Sequence, residues 1–404
     1  MESKIQCPHD PAKATDLLMR LLACEGVTGE ETSIAKLLID ELVAAGVPRG
    51  AILQDDSHLR MGLQSACGNV WAYLPGQGQG QGPGLVFSTH MDTVPLCRGV
   101  VPVLEKDKGI IRSAGKTALG GDNRTGCAVL VNLADQLVRS GVPHPPITLL
   151  FTVREESGLH GARSLDPAWF KGATTGYNVD GGNPGRFVVG AVGAQRWEAE
   201  VTGIASHAGV HPERGVSATM IIALALSEVR KKGWFGKVSK GGKEGSSNVG
   251  VLAGGGGGSV GDATNVVTDY ALVRGESRST DPHLVAEITD AYQNAFINAA
   301  KEVQTVDGKT GSVRFEARVE YEAFRIADDH PVVKKAVAAC EKLNIQPVLE
   351  VSRGGLDANW LVRHGLTSVT FGAGQHEIHT IGEYVNLEEF HAGCRLAFAL
   401  AVNQ

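Results

Sequence analysis

GLVFSTHMDTVP, residues 84–95, decides how the rest of the chain is read. Leu85-Val86-Phe87 is apolar, and the run passes through Ser88 and Thr89 to His90-Met91-Asp92, just before a proline. A short apolar run bounded by turn residues suits a strand buried on both faces. On extended chain, residues i and i+2 face the same side. His90 and Asp92 can therefore point together into one cleft at the end of a core strand.

Working outward, PITLLFTV and TTGYNV read as further buried strands. Between them lie helical patterns. In TSIAKLLIDELVAAG, Ile34, Leu37, Leu38, Leu42 and Val43 share a face and Gly46 ends the run; RTGCAVLVNLADQLVRSG stops at Gly141. Alternating strands and helices predict an α/β layer with a mostly parallel sheet. Ligands of such sheets sit beyond the carboxyl ends of the strands.

Near residue 193 the pattern changes. RWEAEVTG, TDYALVRGESRS and SVRFEARVEY alternate as strands, with amphipathic helices expected around 216–231 and 283–303. This predicts an inserted α+β domain, with helices on one face of its sheet. GGKEGSSNVGVLAGGGGGSVGDATN lies inside it, and its five-glycine run reads as a flexible loop, because it lacks the Lys-Ser/Thr ending of a phosphate-binding loop. After residue 327, DHPVVKKAVAACEKLN, QPVLEVS, LDANWLVRHG and TSVTFGAG resume the strand and helix layering. The expected domains are 1–193 with 327–404, interrupted by 194–326.

Bulk properties bound the function. A chain of 404 residues exceeds the size at which one core usually keeps growing. A hydrophobic fraction of 43% with 20% charged residues suits a globular protein, and a net charge of −6 argues against a nucleic-acid partner. No apolar run reaches membrane-spanning length, and the N-terminal DLLMRLLAC, interrupted by Arg20 and followed by Glu25, reads as a helix and not a signal peptide. Seven scattered cysteines without a CxxC spacing suit reduced thiols and a cytoplasmic location.

Four more segments place chemistry at a strand or helix end: Asp122 in GGDNRTG, Glu155 and Glu156 in REESG, Asp180 in NVDGG, and His379 in GQHEIHTIGE. Taken singly, Asp122 reads as a helix cap, the glutamates as a solvated turn and Asp180 as an Asx-type turn. Together with His90 and Asp92 they deliver five carboxylates and two imidazoles to one face of the sheet. Such carboxylates cannot all stay ionised without countercharge. Two divalent cations supply it, and His with carboxylate oxygen and no sulfur suits zinc ahead of manganese or cobalt. Ions about 3.5–4 Å apart require a bridging ligand.

HMDTVP, GGDNRTG, REESGLHGA, NVDGG, SHAGVHPERG, DATNVVTD, SRGGLDANW and GQHEIHTIGE follow in order over nearly the whole chain. The set resembles the di-zinc exopeptidase and deacylase superfamily of carboxypeptidase G, aminoacylase and peptidase T, and is most similar to the peptidase-T-like branch. The resemblance implies a three-layer catalytic domain and a ferredoxin-like inserted domain acting as lid and homodimer contact. It implies that Asp122 bridges two metals, with His90 and Asp180 completing one site and Glu156 and His379 the other. Asp92 would accept the other ring N–H of His90, and Glu155 would be the general base acting on a metal-activated water. His207 would serve the developing oxyanion, Asn265 the substrate backbone and Arg353 a substrate carboxylate, with Arg278 a weaker candidate. The expected substrate is a short peptide, such as a tripeptide losing its N-terminal residue. The alternatives with the same chemistry are a carboxypeptidase, a dipeptidase and an N-acyl amino acid deacylase, and a non-catalytic scaffold is the alternative of another class.

Overall fold

The computed structural model describes residues 7–78, 83–261 and 263–402. Asp262, which opens the DATNVVTD motif, lies outside them. The chain divides into two compact units, Met1–Gly190 with Arg325–Ser352 and Leu356–Gln404, and Ala191–Phe324 with Arg353–Gly355.

The first unit is built on a nine-stranded mixed sheet. Its centre is four parallel strands, in the spatial order Ile147–Thr152, Leu85–His90, Thr175–Val179 and Thr367–Phe371. Antiparallel strands flank them, Val70–Leu74 and Ile52–Gln54 on one side and Arg186–Ala191 on the other. Every residue of Leu85–His90 and Ile147–Thr152 is buried, so both faces of the sheet are covered. On one face Val86 and Leu150 join Trp71, Phe170, Leu361 and Leu366 in a single cluster. The helix Gly121–Ser140 packs against Leu85–His90 and against the helices Pro11–Leu22, Thr32–Ala44 and Leu387–Val402. It ends at Gly141, whose φ of 61° is the left-handed stop that glycine adopts without strain.

A separate four-stranded antiparallel sheet, Gln375–His376, Tyr384–Asn386, Ile110–Ser113 and Pro102–Glu105, completes this unit. The sequence reading missed it. Its strands are two to four residues long, too short for a period-2 pattern to stand out.

The second unit is a five-stranded antiparallel sheet, ordered Gly236–Lys240, Lys243–Ala253, Tyr270–Ser279, Gly193–Thr202 and Ser312–Tyr321. Without its first edge strand the chain order is β-α-β-β-α-β, the ferredoxin-like arrangement. The helices Ala218–Lys231 and Pro282–Glu302 pack on each other and on the sheet. Ser217 caps the first by accepting from Met220 N–H at 3.2 Å, and Asp281 the second from Leu284 N–H at 3.0 Å. The core centres on Trp197, whose ring lies 4.4 Å from Tyr292 and 5.5 Å from Phe315. Opposite it stands Gly275, where a Cβ would come within 2.2 Å of the indole.

The stretch before the five-glycine run, unassigned from sequence, is a strand. Lys243–Ala253 pairs along Tyr270–Ser279 with a bulge near Val249. Its glycines and serines have poor strand propensity, and the ladder on either side overrides that. The glycine run itself is a turn closed by Gly254 N–H donating to Gly258 O at 2.7 Å. Among the described residues, no helix is long and apolar enough to cross a membrane.

Candidate metal centre

The four parallel strands end side by side. His90 pairs with Thr152, and Phe371 with Val179, so the segments that follow them emerge at one edge. These are Met91-Asp92, Val153 to Glu156, Asp180, and Gly372 to His379. Asp122 joins them from the start of Gly121–Ser140, after Gly120 turns the chain at φ 79°.

His90 is 2% exposed, Asp92 0% and Asp122 6%. His90 Nδ1 faces the backbone carbonyl of Asp92 at 3.1 Å, and Nε2 faces Asp122 Oδ1 at 3.0 Å. A carbonyl only accepts, so Nδ1 carries a proton, and Nε2 is the ring atom that meets the carboxylate, as a donor when the ring is charged and as a metal ligand when it is neutral. His379 Nε2 lies 3.0 Å from Glu156 Oε1 and 3.2 Å from Asp122 Oδ2. One ring nitrogen there meets two acceptors. Donor atoms of His90, Asp122 and Asp180 lie within 4.8 Å of one another, as do those of Asp122, Glu156 and His379. Ligands about 2.1 Å from a tetrahedral zinc ion would be about 3.4 Å apart. Ring nitrogens and carboxylate oxygens gathered at such spacing fit a divalent cation in each group, with Asp122 common to both.

The electrostatics point the same way. Burial raises Asp180 to about 7, and the charge of Asp122 adds to the rise. Burial also takes Glu156 to about 7, again with Asp122 adding and the His379 hydrogen bond opposing. Hydrogen bonds to Asp122 and Glu156 lift His379 to about 10. For Asp122, burial would raise the carboxyl, but hydrogen bonds from His379 and His90 outweigh it and hold it below the usual range. Glu155 belongs to neither group of donors. Desolvation pushes its carboxyl well above the ordinary value, with Asp357, Asp180 and Glu156 adding to the rise.

Asp92 places its Oδ1 3.5 Å from His90 Nδ1, and its own backbone carbonyl meets the same nitrogen at 3.1 Å. The carboxylate also accepts the N–H groups of Glu155 at 3.0 Å and Glu156 at 3.2 Å. It pins the turn carrying both glutamates, while the main chain orients the imidazole.

His207, Asn265, Arg278 and Arg353 all belong to the second unit. There His207 and Asn265 are exposed neighbours, joined by Ala208 N–H donating to Asn265 O at 2.9 Å. Arg278 forks onto Glu276 at 2.9 and 3.0 Å, so its guanidinium is already engaged. Arg353 is exposed; beside it, Gly355 lies so close to Tyr321 that a Cβ would be 2.3 Å from the ring.

Several residues at the centre escaped the sequence reading. Gln375 donates to Asp180 Oδ1 at 3.0 Å and accepts from the Thr125 hydroxyl at 3.0 Å. Asp357 is 1% exposed and faces the Thr152 hydroxyl; burial raises it to about 6. Arg124 is 1% exposed and donates to the carbonyls of Met91, Cys24 and Gly26. Glu383 is buried against the turn that carries Asp122. Asp357 and Glu383 stood inside motifs already singled out, but nothing in their spacing separates them from surface carboxylates.

An α/β fold with paired His and carboxylate groups beyond its parallel strands suits a metal-dependent hydrolase, and Peptidase family M20/M25/M40 matches residues 86–403; the chain belongs to that family and is a metallopeptidase. Within it the chain lies in the peptidase-T-like branch. It is 32% identical to aminopeptidase PepT from Bacillus cereus, with a TM-score of 0.83 over 97% of this chain and 98% of that one. To a tripeptidase from Staphylococcus aureus it is 27% identical, with a TM-score of 0.86 over the same shares. The protein YqjE of Bacillus subtilis is 31% identical over 383 residues, 95% of each chain.

Proposed function

We propose that this protein removes the N-terminal residue of short peptides, tripeptides foremost, using two divalent cations that share Asp122. The observation that carries the reading is the gathering of imidazole nitrogens and carboxylate oxygens on both sides of Asp122. Similarity to an aminopeptidase and a tripeptidase over nearly the whole chain supports the substrate class.

His90 and Asp180 would hold one cation with Asp122, and Glu156 and His379 would hold the other with it. Bound there, zinc in preference to manganese or cobalt would polarise the scissile carbonyl and lower the pKa of a water toward neutrality. Glu155 takes the proton of the attacking water and passes it to the leaving amine. Asp92 keeps Glu155 and Glu156 on one rigid turn. His207, Asn265 and Arg353 keep the substrate-side roles that the resemblance implies, and Arg278 is left out because Glu276 occupies its fork.

Glu155→Gln preserves shape and removes the base. Metal content should stay at the wild-type level while kcat falls by about 10²-fold or more. Activity within a few-fold of wild type would remove Glu155 from that role. A panel of tripeptides and N-acetyl amino acids, assayed with zinc, manganese and cobalt, tests the substrate class. Cleavage of acylated amino acids alone would replace the aminopeptidase reading with a deacylase.

A further inference from the structure

We propose that Glu383 is a positioning residue for Asp122, acting by fixing the backbone turn from which that shared carboxylate projects. The proposal rests on the two-cation reading above. Glu383 is 2% exposed. Its Oε2 accepts the N–H groups of Leu119 at 2.8 Å and Gly120 at 2.9 Å, and its Oε1 accepts that of Asp122 itself at 3.0 Å. Three amides of one turn thus end on one carboxylate. They precede or open the helix Gly121–Ser140, where N–H groups have no partner within the helix.

The fit around this contact is tight. A Cβ on Gly121 would come within 3.2 Å of Glu383 Oε1 and 2.8 Å of Val385 Cγ2. Glu383 directly precedes Tyr384–Asn386, the strand that pairs with both Gln375–His376 and Ile110–Ser113. The small sheet therefore braces the centre at two points, Gln375 on Asp180 and Glu383 on the Asp122 turn.

Only an acceptor-only group can serve all three amides. With glutamine at 383, one oxygen becomes an NH₂ that faces a buried N–H. If the remaining oxygen covers Leu119 and Gly120, Asp122 loses its acceptor; if the amide turns over, the other two do. Either way the turn loosens and the two oxygens of Asp122 lose their fixed aim. Partners that orient metal ligands from outside typically change affinity by about 10–100-fold when removed.

The test measures Zn²⁺ binding to the full chain by competition with a chromophoric chelator, together with the visible spectrum of the Co²⁺-loaded protein. Wild type should take two equivalents. Glu383→Gln should bind the pair about 10–100-fold more weakly and shift the Co²⁺ bands, a change that a purely structural role would not produce. Glu383→Asp, which keeps an acceptor-only carboxylate, should recover part of the loss. Two equivalents in wild type with unchanged affinity and spectrum in Glu383→Gln would overturn the proposal alone. Fewer than two equivalents in wild type would overturn the two-cation reading and the proposal with it. Should Glu383→Gln fail to fold, Gly121→Ala presses the same contact from the other side, and wild-type affinity in that variant would overturn the proposal.

Discussion

Asp122→Asn is the sharpest perturbation of the centre. The carboxylate gives one oxygen to each group, Oδ1 toward His90 at 3.0 Å and Oδ2 toward His379 at 3.2 Å. Asparagine keeps a single oxygen, so only one group retains its full donor set whichever way the amide lies. The substitution also removes a negative charge between two dications. A unit charge acting across about 4 Å in a site of effective dielectric near 20 is worth about 4 kcal/mol. That is about a thousandfold in the affinity of the second cation. The assay is equilibrium dialysis against buffered zinc, with metal per chain read by mass spectrometry and folding checked by circular dichroism. The expected result is a folded chain with one equivalent or fewer at zinc levels that saturate wild type. Two equivalents bound within about threefold of wild-type affinity would refute the reasoning, because a bridging oxygen and its charge would have been removed without consequence.

In the second unit, Gly275→Val forces a side chain into the 2.2 Å approach to Trp197; chemical unfolding should show a loss of about 1–3 kcal/mol, and an unchanged midpoint would show that the indole can move aside. His9 and His391 form a neutral relay: Gln136 donates to His9 Nδ1 at 3.2 Å, His9 Nε2–H faces His391 Nδ1 at 3.1 Å, and His391 Nε2–H faces Thr15 Oγ1 at 3.3 Å. Burial lowers each imidazole from 6.5 to about 4, so between those values the unfolded chain binds more protons and stability falls as pH drops. Unfolding midpoints with chelator present, from pH 7 to 4, should fall more steeply for wild type than for the His9→Gln/His391→Gln double variant; parallel curves would remove the relay from the account.

The parts of this protein that the sequence discloses are those where local pattern and tertiary demand coincide. Leu85–His90 and Ile147–Thr152 are buried on both faces, and burial of that kind leaves an unbroken apolar run that any window detects. The reactive residues stand out because a charge directly after such a run is unusual. Lys243–Ala253 stayed hidden because its strand character comes from its neighbours in the sheet and not from its own glycines and serines. Gln375 and Glu383 were invisible for a related reason. Their importance lies in hydrogen bonds to Asp180 and to the 119–122 turn, contacts that span from about two hundred to more than two hundred and fifty residues of sequence and leave no periodic trace. Asp92 was singled out for its imidazole neighbour, while its two backbone partners were not foreseen. Alternation says which side a carboxylate faces, and not whether an imidazole or two backbone amides will reach it first.

His90, Asp122 and Asp180 all precede the inserted unit in the chain, whereas His379 follows it. A ribosome therefore makes one complete set of donors early and withholds the last member of the other until the insertion has been threaded out. Gln375 and Glu383, which hold Asp180 and the Asp122 turn, also follow the insertion, so neither group is fixed in place before the last stretch of chain is made.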